Sequence, residues 1–208
     1  MAYGLQIFRD DGSLWISPDV TPLNYMGKIS FANGTVDTGI SSSKSLMFFV
    51  RHNGPDGAGT FIPNNSGSTW KITITGSNYS GLIYLFSNTV KSQSGYGVAV
   101  YNSSGEMTWN TDMLPLQVLK VNNPYGVTQT GSFTVSAGVP VAVNPGICST
   151  WLAVLNPSAG QYIIGAIAAG AYGNTIYGTR IGGEEIVGQR PVYRYKEVFL
   201  CIDVSKYP

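Results

Sequence analysis

Apolar residues in this chain come in short bursts rather than at helical spacing. Residues 5–8 (LQIF), 46–50 (LMFFV), 70–75 (WKITIT), 82–86 (LIYLF), 98–101 (VAVY), 139–143 (VPVAV) and 192–204 (VYRYKEVFLCIDV) are rich in β-branched and aromatic side chains. Clusters of Gly, Asn, Ser and Pro separate them, and no stretch of a dozen residues carries a convincing 3.6-residue period. The pattern predicts an all-β protein of antiparallel β-sandwich architecture. The longest apolar run, residues 162–172 (YIIGAIAAGAY), is about half of the roughly 20 residues that cross a bilayer as a helix. It reads as a buried strand, so no membrane-spanning segment is expected. Residues 52–68 hold four glycines, two prolines and three asparagines, a composition that breaks ladders and predicts a long surface loop.

An internal repeat organises the chain. Residues 3–26 (YGLQIFRDDGSLWISPDVTPLNYM) lie without a gap over residues 96–119 (YGVAVYNSSGEMTWNTDMLPLQVL). Tyr3/Tyr96, Gly4/Gly97, Gly12/Gly105, Asp19/Asp112, Pro22/Pro115 and Leu23/Leu116 are identical, and Leu5/Val98, Ile7/Val100, Leu14/Met107, Ile16/Trp109 and Met26/Leu119 are apolar in both. The apolar positions alternate, which predicts a two-stranded hairpin in each copy. Gly12 and Gly105 close the two turns in a bulge-forming, left-handed conformation. The Asp and Pro that follow predict a corner leading into a further strand. The expectation is two pseudo-equivalent β modules, 1–94 and 95–208, either separate or merged into one sandwich. In this alignment Trp109 matches Ile16 and reads as core, while Trp15 matches Thr108 on the other face and reads as a possible interface residue.

Charge sharpens the picture. Only 11% of the 208 residues are charged, against about 25% in average soluble proteins. Twelve basic and eleven acidic residues leave a net charge of +1, too little to draw in a phosphate backbone, so nucleic acid is not an expected partner. Residues 121–179 contain no Asp, Glu, Lys or Arg. Two readings fit this 59-residue run: a sandwich core joined by uncharged loops, or a surface covered by other subunits, since interface cores are depleted in charge. Trp151, Tyr162 and Tyr172 are its candidate contact residues.

Catalytic signatures are missing from the sequence pattern. His52, the single histidine, lies beside the glycine-rich segment with no serine or cysteine nucleophile placed near it, and reads as a packing or surface residue. Asp10-Asp11 and Glu184-Glu185 are adjacent carboxylates, unlike the facing pair that cleaves a sugar, and Asp10-Asp11 reads as turn chemistry rather than a calcium site. The segment 54–59 (GPDGAG) lacks the lysine and helix of a phosphate loop. Tyr193-Arg194-Tyr195-Lys196 alternates as one solvated strand face would. Cys148 and Cys201 fit no zinc spacing and read as reduced core thiols. No cofactor and no metal are expected. The start of the chain, with Asp10 and Asp11 where an apolar signal core would stand, predicts synthesis in a cytoplasm.

The strings YGLQIFRDDGSLW and YGVAVYNSSGEMTWNTDMLPLQVL resemble a module of small distal-tail proteins of long-tailed bacteriophages, associated with tail tip and tail fibre. The resemblance rests on a YG-strand, a glycine turn, an acidic residue and a proline-linked apolar strand, and covers about a quarter of the chain. It implies a virion structural or adaptor protein, not an enzyme, made in the bacterial host cytoplasm and located in the distal tail. It further implies assembly with other tail proteins and with itself as a trimer or ring. An alternative is a module binding a host cell-surface receptor or glycan, with His52, Asn53 and Asp56 of the 52–68 loop as contacts. A third, a hydrolase of cell-wall sugars, would need two converging carboxylates that the sequence does not offer.

Overall fold

The runs at 46–50 and 82–86 are apolar at consecutive positions rather than alternate ones, and a strand of that kind needs cover on both faces. That requirement sets the architecture. The computed structural model describes residues 7–8, 10–12, 14–123, 132–188 and 198–208. Its strands are β1 (Ile7–Phe8), β2 (Leu14–Ile16), β3 (Asn24–Phe31), β4 (Gly34–Ser41), β5 (Leu46–His52), β6 (Thr60–Asn64), β7 (Thr69–Thr75), β8 (Gly81–Ser87), β9 (Ala99–Tyr101), β10 (Met107–Asn110), β11 (Leu119–Asn122), β12 (Phe133–Ser136), β13 (Val141–Val143), β14 (Ile147–Asn156), β15 (Gln161–Tyr172), β16 (Thr175–Val187) and β17 (Val198–Asp203). The protein is all-β, and its pairings are antiparallel.

A six-stranded sheet, β11-β17-β13-β5-β8-β3, forms the middle layer. A three-stranded sheet, β4-β7-β6, and a four-stranded sheet, β12-β16-β15-β14, pack on one of its faces. Side chains along the middle sheet divide with period two. Phe48 and Val50, Ile83 and Leu85, Val141 and Val143, and Phe199 and Cys201 meet Ile72, Ile74, Phe133, Ile167 and Ile176 of the covering sheets. Their neighbours Phe49, Tyr84, Phe86, Ala142 and Ile202 face the other way, into a second cluster completed by Tyr25 and Tyr207. That second face is closed by irregular chain. Leu116 donates its N–H to Leu23 O and Tyr25 its N–H to Leu114 O, both at 2.8 Å. The Tyr207 ring lies 5.0 Å from Phe86, and its hydroxyl accepts from Gln117 N (2.8 Å) and donates to Pro115 O (3.2 Å).

The middle sheet draws equally on both parts of the chain. From its centre outwards the strands run β5, β8, β3 on one side and β13, β17, β11 on the other. The hairpins β1-β2 and β9-β10 precede the two edge strands β3 and β11. Ile7 pairs with Ile16 and Phe8 with Leu14; Val100 pairs with Trp109 and Tyr101 with Met107, each hairpin skipping one residue of its second strand.

Several expectations shift. Residues 52–68 are not one surface loop, because Thr60–Asn64 form β6 against β7 in continuous register, tolerating Pro63 because β6 is an edge. His52, Gly54, Gly57, Ala58 and Gly59 are buried. The strand expected at 139–143 starts at Val141, and Pro140 spends its carbonyl on Val204 N (2.9 Å). The strand expected at 192–204 is described from Val198, and the Tyr193 to Lys196 run lies outside the described residues, as do Leu5 and Gln6. In β10 Thr108 and Asn110 are buried, Thr108 donating its hydroxyl to Val100 O at 3.3 Å, and Trp109, paired with buried Val100, is half-buried; the skipped residue places Met107 opposite Tyr101.

Phe49 is fully buried in the second cluster, in edge-to-face contact with Phe86 at 5.7 Å. Phe49→Ala is expected to destabilise the fold by about 3–5 kcal/mol, measured as a lowered urea midpoint at unchanged slope.

Candidate assembly surface and groove

The described residues of the charge-free run are partly core and partly surface. Val141 to Val143, Cys148, Ile167, Ala168, Ala169, Ala171 and Ile176 are buried in the sandwich. Residues 150–166 of the run, with the end of β16, form a three-stranded ribbon made of the ends of β14, β15 and β16, where most side chains are half-buried or exposed. Register places Val154, Tyr162 and Ile186 in one row across the ribbon and Leu152, Ile164 and Glu184 in the alternate row on the same face. Val154, Leu155 and Val187 are 53%, 49% and 73% exposed. At the ribbon's tip, Asn156 caps a single 3-10 turn, Pro157–Ala159, and Gly160 reverses the chain at φ 62°.

Trp151 stiffens the ribbon from its other face. It pairs with Gly165, where a side chain would put its Cβ 2.3 Å from the indole nitrogen, and its ring also lies over Gly183. These two glycines let the indole lie across β15 and β16. The Arg180 guanidinium sits 5.1 Å from the ring centre, a cation–π contact. The indole N–H has no acceptor. Trp151 is therefore a ribbon-internal platform, and Tyr162 a member of the apolar row. Tyr172 lies at the opposite end of β15, exposed beside the turn into β16.

An open groove of about 630 Å³ separates the ribbon from the N-terminal half. Ile147, Ile164 and Ile181 supply apolar lining, and Thr60, Thr75, Asn78 and Glu184 supply polar groups. Asn78 also builds one wall: its side-chain oxygen accepts from Ala58 N and its amide donates to Asp56 O, both at 3.0 Å. Sequence reasoning missed the groove because its residues come from five separated segments with no spacing signature.

His52, Asn53 and Asp56 do not form a common site. Asn53 is exposed and tied to Ser80 through N to O at 2.9 Å and through its side chain at 3.2 Å. Asp56 is exposed at φ 55°, an unusual conformation for a residue with a side chain, and its carbonyl is the one that Asn78 holds. His52 is 1% exposed, edge-on to Phe31 at 5.4 Å, with Gly57 and Gly170 against its ring. Neither ring nitrogen makes a hydrogen bond. Burial drives its pKa from 6.5 down to about 4, and the Ala171 backbone opposes this only in part, in a geometry short of a full hydrogen bond. It is a packed neutral imidazole.

The two hairpin turns are alike in backbone: Gly12 and Gly105 both have φ 78°. In the second, the Asn102 side chain accepts from Ser104 N and Glu106 N at 3.0 and 2.9 Å. The Trp15 side chain lies outside the described residues. Other acids serve turns too. Two Ser94 donors, its N–H and then its hydroxyl, hold Asp112 below the usual carboxylate range; the Gly39 N–H and then the Thr69 hydroxyl do so for Asp37. Cys148 and Cys201 are separate buried thiols, and burial pushes Cys201 up to about 11. Among the described residues no group of three or more His, Cys, Asp or Glu could hold a metal, and no helix is long and apolar enough to cross a membrane. Comparison with protein-family models, curated proteins and solved structures finds no match to this chain.

The buried histidine makes stability depend on pH. With a folded pKa of about 4 under an ordinary 6.5, the unfolded chain takes up the proton first as pH falls. The stabilisation is complete above pH 6.5 and declines from there to pH 4, by about 3 kcal/mol in all. Urea unfolding near pH 7 and pH 4.5 should show this loss in the native protein and a much smaller one in His52→Leu.

Proposed function

We propose that this chain is a structural or adaptor protein of the distal tail of a long-tailed bacteriophage, acting by assembly with other tail proteins and with copies of itself. The observation that carries this reading is the ribbon. A charge-free stretch of chain extends past the core with its apolar row open, and such surfaces mark contacts with other proteins. The resemblance of the two hairpin strings to phage distal-tail modules supplies the setting: synthesis in the host cytoplasm and residence in the virion tail. In this reading the chain is not an enzyme.

The chain also reads as two related modules, 1–94 and 95–208, sharing one middle sheet. The matched hairpin pairings and the outward order of the strands support this. Gly12→Val and Gly105→Val, each forcing a β-branched residue to φ 78° in open space, are then expected to cost similar amounts, about 1–2 kcal/mol or somewhat more. A large loss at one site and none at the other, in thermal melts, counts against the equivalence.

The groove favours a second reading, a receptor- or glycan-binding module on the same tail, because polar groups ring an isoleucine-lined hollow. Light scattering separates the two. A discrete oligomer, or a complex formed with products of neighbouring genes, is the expected result. A monomer indifferent to all of them would transfer the assignment to the groove.

A further inference from the structure

We infer that the groove binds a short, uncharged saccharide, with its hydroxyls taken by Thr60, Thr75 and Asn78 and its C–H faces lying on Ile164, Ala166 and Ile181. This rests on the reading of the groove as a binding site and names the ligand.

The wall from the N-terminal half is polar. Thr60 of β6 and Thr75 of β7 stand directly opposite each other in the register, so their side chains share a face, and both line the groove. Asn78 lines it too. Its carbonyl and its amide are each engaged once, with Ala58 N and Asp56 O, which leaves one lone pair and one N–H for a ligand. Threonine hydroxyls and a side-chain amide both donate and accept, so this wall matches a partner whose groups do the same.

The wall from the ribbon is largely apolar. Ala166 pairs with Ile181 and Ile164 with Glu184 across β15 and β16, and all four line the groove. Between these two rows β16 sets two residues, Gly182 and Gly183, against Gly165 alone in β15. Gly182 has φ 59°, the left-handed conformation of a glycine bulge. Three glycines therefore line the groove where a regular ladder would place side chains, and the space between the rows stays open.

The combination of walls selects the ligand. Arg180 and Glu184 both line the groove, so a charged ligand gains from one what it loses to the other. A wholly apolar ligand would strip water from Thr60, Thr75 and Asn78 and return no hydrogen bond. A pyranose satisfies both walls, because it carries hydroxyls around its rim and C–H groups on its faces. The volume of about 630 Å³ lies within the range of about 300–1,000 Å³ usual for small-ligand sites, which leaves room for a short oligosaccharide.

The test is saturation-transfer NMR on the full chain, with maltotriose and N-acetylchitotriose as neutral probes and trigalacturonate as the acidic one. Among the described residues no aromatic ring lines the groove, so binding is expected to be weak, the regime this method reads. Transfer to a neutral probe is expected, with less or none to trigalacturonate. Thr75→Val keeps a β-branched residue in an exposed strand position and removes only the hydroxyl; it should weaken binding about two- to tenfold. Ala166→Leu fills the space beside the apolar wall and should abolish transfer, with a thermal midpoint near the native one. If Ala166→Leu impairs folding, the double variant Thr60→Val with Thr75→Val takes its place. Transfer to no neutral probe, transfer unchanged in the variants, or stronger transfer to trigalacturonate overturns the saccharide. A random hexapeptide library that enriches on the native chain and not on Ala166→Leu, with no transfer to the sugars, overturns the saccharide and leaves the groove a receptor site; failure of both overturns both.

Discussion

Everything in this fold follows from a middle sheet that must be covered on both faces. Phe48, Phe49 and Val50 are buried in succession, as are Ile83 to Ser87 and Val141 to Val143, so alternate side chains point into two separate clusters. One face is large enough to take two further sheets. The other is closed by the corner segments around Leu23 and Leu116 and by Tyr207, whose hydroxyl engages Gln117 and Pro115 and whose ring meets Phe86. Aromatic residues with a polar tip suit that position, because the ring fills the apolar cluster while the hydroxyl satisfies irregular backbone. The buried His52 belongs to the same logic: its ring packs among Phe31 and three close-packed segments, and its electronic properties are a by-product of that packing.

The ribbon is the departure from this economy. A sandwich needs its covering strands only as long as the sheet they cover, yet β14, β15 and β16 continue past it. The price is an apolar row with partial cover, and the structure invests in holding that row in place. Trp151 lies over Gly165 and Gly183, and Arg180 stacks on the indole. A ribbon rigid before it meets a partner loses less conformational entropy on contact than a mobile one. This is why the proposed assembly role is placed on the ribbon and not on the exposed polar turns.

The strands with the strongest local signals were legible from residue order. The runs at 46–50, 70–75, 82–86 and 162–172 all fall in strands, since β-branched and aromatic density needs no context to be read. The hairpin strings were legible because a left-handed glycine at a fixed offset is a local requirement. β6 escaped notice because Pro63 and the surrounding Gly and Asn outweigh a short Thr60-Phe61-Ile62 core, and only its partner β7 makes it a strand. Met107 stands opposite Tyr101, off the face that Val100 and Trp109 share, because one residue is skipped, and nothing local to residues 107–110 signals the skip.

The sequence by itself determined that the protein is all-β, where its two glycine hairpin turns fall, and that one stretch of chain would carry no charge. Those properties reside in individual residues and their nearest neighbours. Only the tertiary structure decided which part of the charge-free stretch is core and which is surface. It also decided that Trp151 and Gly165 are partners and that the groove exists. Each of these depends on pairings between segments far apart in the chain, and the free energy of such contacts is set by which surfaces remain once the middle sheet has been covered.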